Sequence, residues 1–134
     1  MVKSSSASPA LRERRGCIPY VVPLCFGYEA GALFFHSATE GRKLEILQKN
    51  PRVSFEIDID WELIRSGGHC SLKYRSVIGS GKASLIKASE DKCKALDLIM
   101  RHCHQEPIAY PEPVLLGVTI IKVEIEEMTG KTSI

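Results

Sequence analysis

The sequence predicts a small, mainly antiparallel β-barrel with short helices over its ends, and three observations carry that prediction. Residues 52–57 and 117–128 alternate apolar and polar side chains with period two, as half-buried strands do. Residues 72–87 form a long extended stretch interrupted by Gly79 and Gly81, where a barrel strand can bend or bulge. Only two stretches, near residues 40–50 and 89–104, read as helices. About five strands and two helices with short connections give the barrel, and no internal repeat is present.

Taken in order, residues 1–15 are rich in Ser, Ala and Arg and predict a mobile arm, with at most one helical turn around residues 9–15. Residues 18–28 are β-branched and aromatic but contain Pro19 and Pro23. Proline cannot donate to a ladder, so this strand belongs at an edge or carries a bulge. Glu29-Ala30-Gly31 makes a turn, and residues 32–36 return as the second arm of a hairpin. A helix over residues 40–50 buries Leu44 and Leu47 with Ile46 beside them, and Asn50-Pro51 stops it.

From Arg52 the period becomes two, with Val53, Phe55 and Ile57 on one face. Residues 60–69 read as a polar loop carrying Trp61, a packing lid more readily than a ligand platform. Ser89 predicts the cap of a second helix, with Glu90 and Asp91 suited to its positive start. Leu96, Ile99, Met100 and Cys103 form its inner stripe. His102-Cys103-His104 does not make a metal site, because i and i+2 on a helix do not face one point. Residues 105–113 hold three prolines and read as a loop, and the last strand turns Ile121, Val123 and Ile125 inward.

Composition bounds the function. A chain of 134 residues with 44% hydrophobic and 25% charged residues fits one domain with one core. The net charge of +2 is carried by the front, where Lys3, Arg12, Arg14 and Arg15 face only Glu13. A near-neutral body argues against a nucleic-acid binder. No apolar run approaches the ~20 residues that span a bilayer, and the N-terminus lacks a signal-peptide pattern. Five cysteines without a CxxC pair argue for reduced thiols and a cytoplasmic protein. Cys25 and Cys103 sit among apolar residues and read as core, whereas Cys70, in the expected loop, is the thiol to test for reactivity.

The strand-turn-helix corner at residues 34–43 is the functional focus. Unpaired backbone N–H groups at a helix start attract anions, and Arg42 and Lys43 add two full charges there. This predicts a phosphate site. The plainer alternative is local capping, since Ser37 and Glu40 have capping-box spacing.

Five blocks then resemble one family. Pro19-Tyr20-Val21-Val22-Pro23-Leu24, Phe35-His36-Ser37-Ala38-x-Glu40-Gly41-Arg42-Lys43, Asn50-Pro51-x-Val53-Ser54-Phe55, Tyr74-Arg75-Ser76-Val77-x-Gly79-x-Gly81 and Ile125-Glu126-Glu127-Met128-Thr129-Gly130-Lys131 follow in one order. They are similar to the FMN-binding split β-barrels related to pyridoxamine 5′-phosphate oxidase, and most to the nitroimidazole-resistance (Nim-type) flavoproteins. The resemblance covers roughly residues 16–131 and implies a single FMN-binding, Greek-key-like split-barrel domain over residues 16–134.

It also implies a homodimer with FMN in each of two interface clefts. By position, His36, Ser37 and Ala38 would line the phosphate end, and Arg42 and Lys43 would pair with the phosphate. Tyr20, Val21, Val22, Pro23 and Leu24 would run beside the isoalloxazine ring, while Arg75, Ser76 and Val77 would come from the other chain. His36 ends an apolar strand where a flavin or small substrate would meet it and has an intrinsic pKa near neutrality. It is the one catalytic candidate, to hydrogen-bond the cofactor or substrate or donate a proton, with positioning of the phosphate loop as the plainer role.

The departure is at the front: such proteins usually open with a helix and a full strand, and this chain has only the arm. An open edge would then be covered by the arm or by a second chain. The resulting expectation is an FMN-dependent oxidoreductase that reduces a small oxidised molecule, with a nitroaromatic such as a 5-nitroimidazole as the expected substrate class. With no GxGxxG, NAD(P)H would bind transiently or another protein would supply electrons. The alternatives are a non-catalytic flavin- or haem-binding module, with His36 as axial-ligand candidate, and a shortened structural relative.

Overall fold

The computed structural model describes residues 2–6, 20–106 and 108–133. Seven strands and three helices are present among them: β1 (Val2–Ser6), β2 (Tyr20–Leu24), β3 (Gly27–Glu29), β4 (Ala32–Ser37), α1 (Arg42–Lys49), β5 (Arg52–Ser66), β6 (His69–Ile86), α2 (Ser89–His102), α3 (Glu112–Leu116) and β7 (Thr119–Ser133). All pairs are antiparallel, in the order β2-β1-β5-β6-β7-β4-β3. Strands β4 to β7 lie in the order β5-β6-β7-β4, a Greek key in which the first strand returns beside the last.

The two edges of this sheet, β2 and β3, are consecutive in the chain and joined only by Cys25 and Phe26. One bent segment therefore leaves one edge and enters the other, which brings the edges together and closes the sheet into a split β-barrel. Pro23 sits on β2, which pairs with β1 alone, so its missing N–H can face the unpaired side, as expected of an edge strand. The β3–β4 turn is a two-residue hairpin turn with Ala30 at φ 49° and Gly31 at φ 77°.

The long bent strand is β6. An alanine Cβ at Gly81 would lie 2.2 Å from the Glu124 carbonyl oxygen, and one at Gly79 would lie 2.3 Å from the Phe55 ring. The β6–β7 register slips between Ser80 and Gly81, which is the bulge that the glycines predict. There β6 turns its corner, and only hydrogen side chains allow the neighbours so close.

Two cores result. Inside the barrel Leu33, Phe35, Leu44, Val53, Phe55, Ala83, Ile121 and Val123 are buried. On the outer face, α2 covers β3, β4 and β7, and Ala95, Leu96, Leu115 and Ile120 form a second cluster. Strand β7 feeds both, with Ile121 and Val123 inward and Ile120 outward under α2. Lys92, on α2, is buried and donates from Nζ to the Leu115 carbonyl at 2.8 Å, tying α2 to α3.

Several expectations are corrected. Residues 60–69 are not a loop: β5 and β6 continue as a hairpin to a Gly67-Gly68 turn, both with positive φ, and Cys70 lies on a strand. A bulge between Ile59 and Glu62, with Asp60 at φ 54°, interrupts it. Trp61 is no lid within this chain, being 71% exposed. Ser89 is inside α2, whose N-cap is Ala88 without a side-chain bond. The proline-containing segment holds the short helix α3, started by Pro111 and Pro113. Cys25 and Cys103 are exposed rather than core.

The arm differs too. Val2–Ser6 pairs as β1 between β2 and β5, while residues 7–19, including the expected helical turn and Cys17, lie outside the described residues.

Candidate functional site

At the β4–α1 corner the chain leaves the barrel and immediately begins a helix. Along β4 the side chains alternate: Leu33, Phe35 and Ser37 face the interior, and His36 is exposed on the opposite face. His36 and Ser37 are thus neighbours in sequence whose side chains diverge. The Ser37 hydroxyl is buried and donates to the Ala38 carbonyl at 3.0 Å. It does not cap α1, so the capping box with Glu40 is not formed.

Gly41 occupies the N-cap position with φ 145° and ψ 166°, a conformation open essentially to glycine alone, and no side chain caps the helix. The first helical amides, those of Arg42 and Lys43, have no acceptor within the helix. The carbonyl of Gly41 accepts from Leu44 and Glu45, both at 3.1 Å, which fixes the first turn. A Cβ added at Gly41 would meet no atom within 4 Å, so space lies open over this helix start. Uncapped donors, two adjacent cations and open space above them suit a phosphate group.

The same corner touches β2. The Arg42 guanidinium lies over the Tyr20 ring, 5.3 Å from its centroid, a cation–π contact between residues 22 positions apart. No sequence signal pointed to that contact. Along β2, Tyr20, Val22 and Leu24 are half-buried and Val21 and Pro23 are exposed, with Leu24 packed on the barrel core. Since β2 pairs on one side only, alternate main-chain N–H and C=O groups of this strand stay free.

Arg75, Ser76 and Val77 are elsewhere. They pair with Ile59, Asp58 and Ile57 on β5 and with Thr132, Lys131 and Gly130 on β7. Ser37 pairs with Thr119 at the other end of β7. Thirteen strand steps between the two positions span up to roughly 43 Å at ~3.3 Å each. Val77 packs on the barrel core, and Arg75 makes an exposed ion pair with Asp60 at 3.8 Å.

Beside them is an open groove of about 320 Å³ lined by Glu56, Asp58, Trp61, Leu72, Tyr74 and Ser76. Its two carboxylates repel a phosphate, in contrast to the two cations at the α1 corner. Among the described residues no group of three or more His, Cys, Asp or Glu side chains could hold a metal ion. None of the described helices is long and apolar enough to cross a membrane.

Residues 10–132 match the family model described as pyridoxamine 5′-phosphate oxidase. The chain belongs to that family. It is similar to the crystal structure of a candidate 5-nitroimidazole antibiotic resistance protein from Bacteroides thetaiotaomicron, with 33% identity and a TM-score of 0.81, over 96% of this chain and 74% of that one. A FAD-binding protein from Mesorhizobium loti shares the fold at 23% identity and TM-score 0.66, over 99% of this chain and 86% of that one. A FAD- and haem-binding protein from Mycobacterium smegmatis does so at 19% and 0.72, over 98% of this chain. The present chain spans only 65% of that last protein. No curated protein matches the sequence.

Proposed function

We propose that this family member is a dimeric FMN flavoprotein that reduces a small oxidised molecule, with a nitroaromatic as the leading substrate class. The observation that carries the reading is the uncapped α1 start, where Arg42 and Lys43 follow one another on the first turn beside amides with no acceptor in the helix, and space lies open at Gly41. Arginine offers a planar fork to phosphate oxygens and lysine a point charge, so the pair holds a dianion from two directions. The backbone at Ser37 and Ala38 completes the wall, the Ser37 hydroxyl being already engaged.

The free side of β2 offers the main-chain groups of alternate residues along Tyr20–Leu24 to the polar edge of an isoalloxazine ring, with Val21, Val22 and the others supplying side-chain walls. The Tyr20–Arg42 contact keeps this strand beside the phosphate corner. In this reading Arg75, Ser76 and Val77 approach the flavin from a second copy, their partners on β7 being eleven or more residues along from the partner of Ser37. Exposed Ile59, Trp61, Leu63, Leu72, Ile78 and Met128 supply the apolar area that such a dimer buries.

FMN held there would supply the redox chemistry as a hydride donor, while the protein would bind and orient it and exclude water. His36, exposed at the end of β4, is the proton-donor candidate of this reading. The likeness to the Bacteroides protein at 33% identity supports a nitroaromatic substrate. The test is anaerobic: protein loaded with FMN is photoreduced and mixed with a 5-nitroimidazole. Return of the oxidised flavin bands supports the reductase. Flavin that stays reduced leaves a binding module, and a Soret band on reconstitution with haem in place of flavin shifts the reading to the haem alternative.

A further inference from the structure

Two cysteines that no part of the flavin site uses come together on the outside of the barrel. Cys25 lies in the two-residue link that joins β2 to β3, and Cys103 is the C-cap of α2. Their surroundings are fixed by close packing. A Cβ added to Gly27 would stand 2.8 Å from backbone atoms of Leu98 and Ile99, so only glycine lets β3 lie this tightly against α2. One residue before Gly27, the Phe26 ring meets the His102 ring with centroids 4.3 Å apart. The next residue outward on each segment is a cysteine, so Cys25 and Cys103 flank the ring contact and are neighbours across it.

Both are solvent-exposed, so a small reagent can reach them. The His102 ring is turned to Phe26, and no third metal-ligating side chain joins the pair among the described residues. Its chemistry is therefore that of a dithiol. Partial burial first, and the Cys25 thiol second, raise the Cys103 thiol above its ordinary value, as two neighbouring thiols require.

We propose that Cys25 and Cys103 are a redox pair that closes into an intramolecular disulfide by exchange with a low-molecular-mass disulfide. A protein thiolate attacks one sulfur of oxidised glutathione, forming a mixed disulfide and releasing one glutathione thiol. The second cysteine, after losing its proton, attacks the protein-side sulfur of that mixed disulfide and releases the second glutathione. The two protein thiols give up two electrons and two protons, and one glutathione disulfide becomes two thiols. The bond ties the β2–β3 link, where the sheet edges are joined, to the end of α2.

The full chain is incubated with oxidised glutathione without denaturant, quenched in acid, alkylated and peptide-mapped. The expected result is one cross-link joining the peptides of Cys25 and Cys103, with free thiol falling by two per chain and restored by dithiothreitol. Amide hydrogen exchange around residues 25–27 and 100–104 slows in the oxidised form. Cys25→Ser and Cys103→Ser each leave the remaining cysteine of the pair as a stable glutathione adduct. Glutathione attached only to single cysteines of the unaltered chain, or a cross-link between any other two cysteines, overturns the proposal.

Discussion

The barrel body and the far half of the β5–β6 hairpin are built from the same kind of alternating strand, yet they treat apolar side chains in opposite ways. In the body, Phe35 is 1% exposed and Val123 2%, each enclosed by β-strands and α1. In the hairpin beyond Ile59, the two strands pair with each other, only Tyr74 of β6 also meets the end of β7, at Ser133, and Trp61 stands 71% exposed. The body satisfies its own hydrophobic requirement. The hairpin carries large apolar groups that stay exposed among the described residues, as an interaction surface does. Residues 75–77 lie where the two regions meet, with Val77 still packed on the barrel core and Arg75 exposed beside Asp60.

The most drastic way to break this contrast is to charge the hairpin. Trp61→Asp with Leu72→Asp should convert a dimer to a monomer in analytical ultracentrifugation, with the thermal transition of the barrel retained. A monomeric unaltered protein would remove the contrast at its root. The next largest effect is in the body, where Phe35→Ala should cost about 3–5 kcal/mol in a denaturant titration. A cost near that of a surface substitution would show that the barrel interior is not packed as described.

Gly81→Ala should cost about 1–3 kcal/mol, because the new methyl meets the Glu124 carbonyl and β6 or β7 must shift. The same change at Gly117, whose nearest neighbours lie 3.7 Å away, serves as the mild control. Smallest of all, Arg75→Ala should leave stability within about 0.5 kcal/mol, since it removes only an exposed ion pair. Its flavin affinity should nevertheless fall. Loss of stability with unchanged flavin binding would place Arg75 in the fold rather than the site.

How much of this was legible in the sequence follows from what each signal depends on. The helices α1 and α2 and the inward side of β7 were readable because each is a local period set against one buried face. Gly79 and Gly81 announced the bulge because a glycine pair in an extended run has few other uses. The hairpin was missed although Ile57, Ile59, Trp61 and Leu63 keep a period of two and Gly67-Gly68 suits a two-residue turn. The acidic residues between them looked like a loop, and the apolar ones are not buried by this chain, so the usual link between pattern and core did not apply.

The site divides in the same manner. Its cations and helix start are contiguous in sequence and could be found there. The opposed directions of His36 and Ser37 follow from strand geometry once β4 extends through Ser37. The Tyr20–Arg42 contact and the meeting of Cys25 with Cys103 join segments far apart in sequence, and only the barrel closure brings them together.

The central claim is that a phosphate is gripped where β4 hands over to α1, and comparing FMN with riboflavin tests it most directly. The two ligands differ only in that phosphate, and flavin fluorescence reports binding of both. FMN should bind on the order of a hundredfold more tightly, the worth of about two charge-assisted contacts, and Arg42→Ala with Lys43→Ala should erase the difference while the melting transition stays in place. Equal affinities for the two flavins, or a preference for FMN that survives the double substitution, would contradict the account.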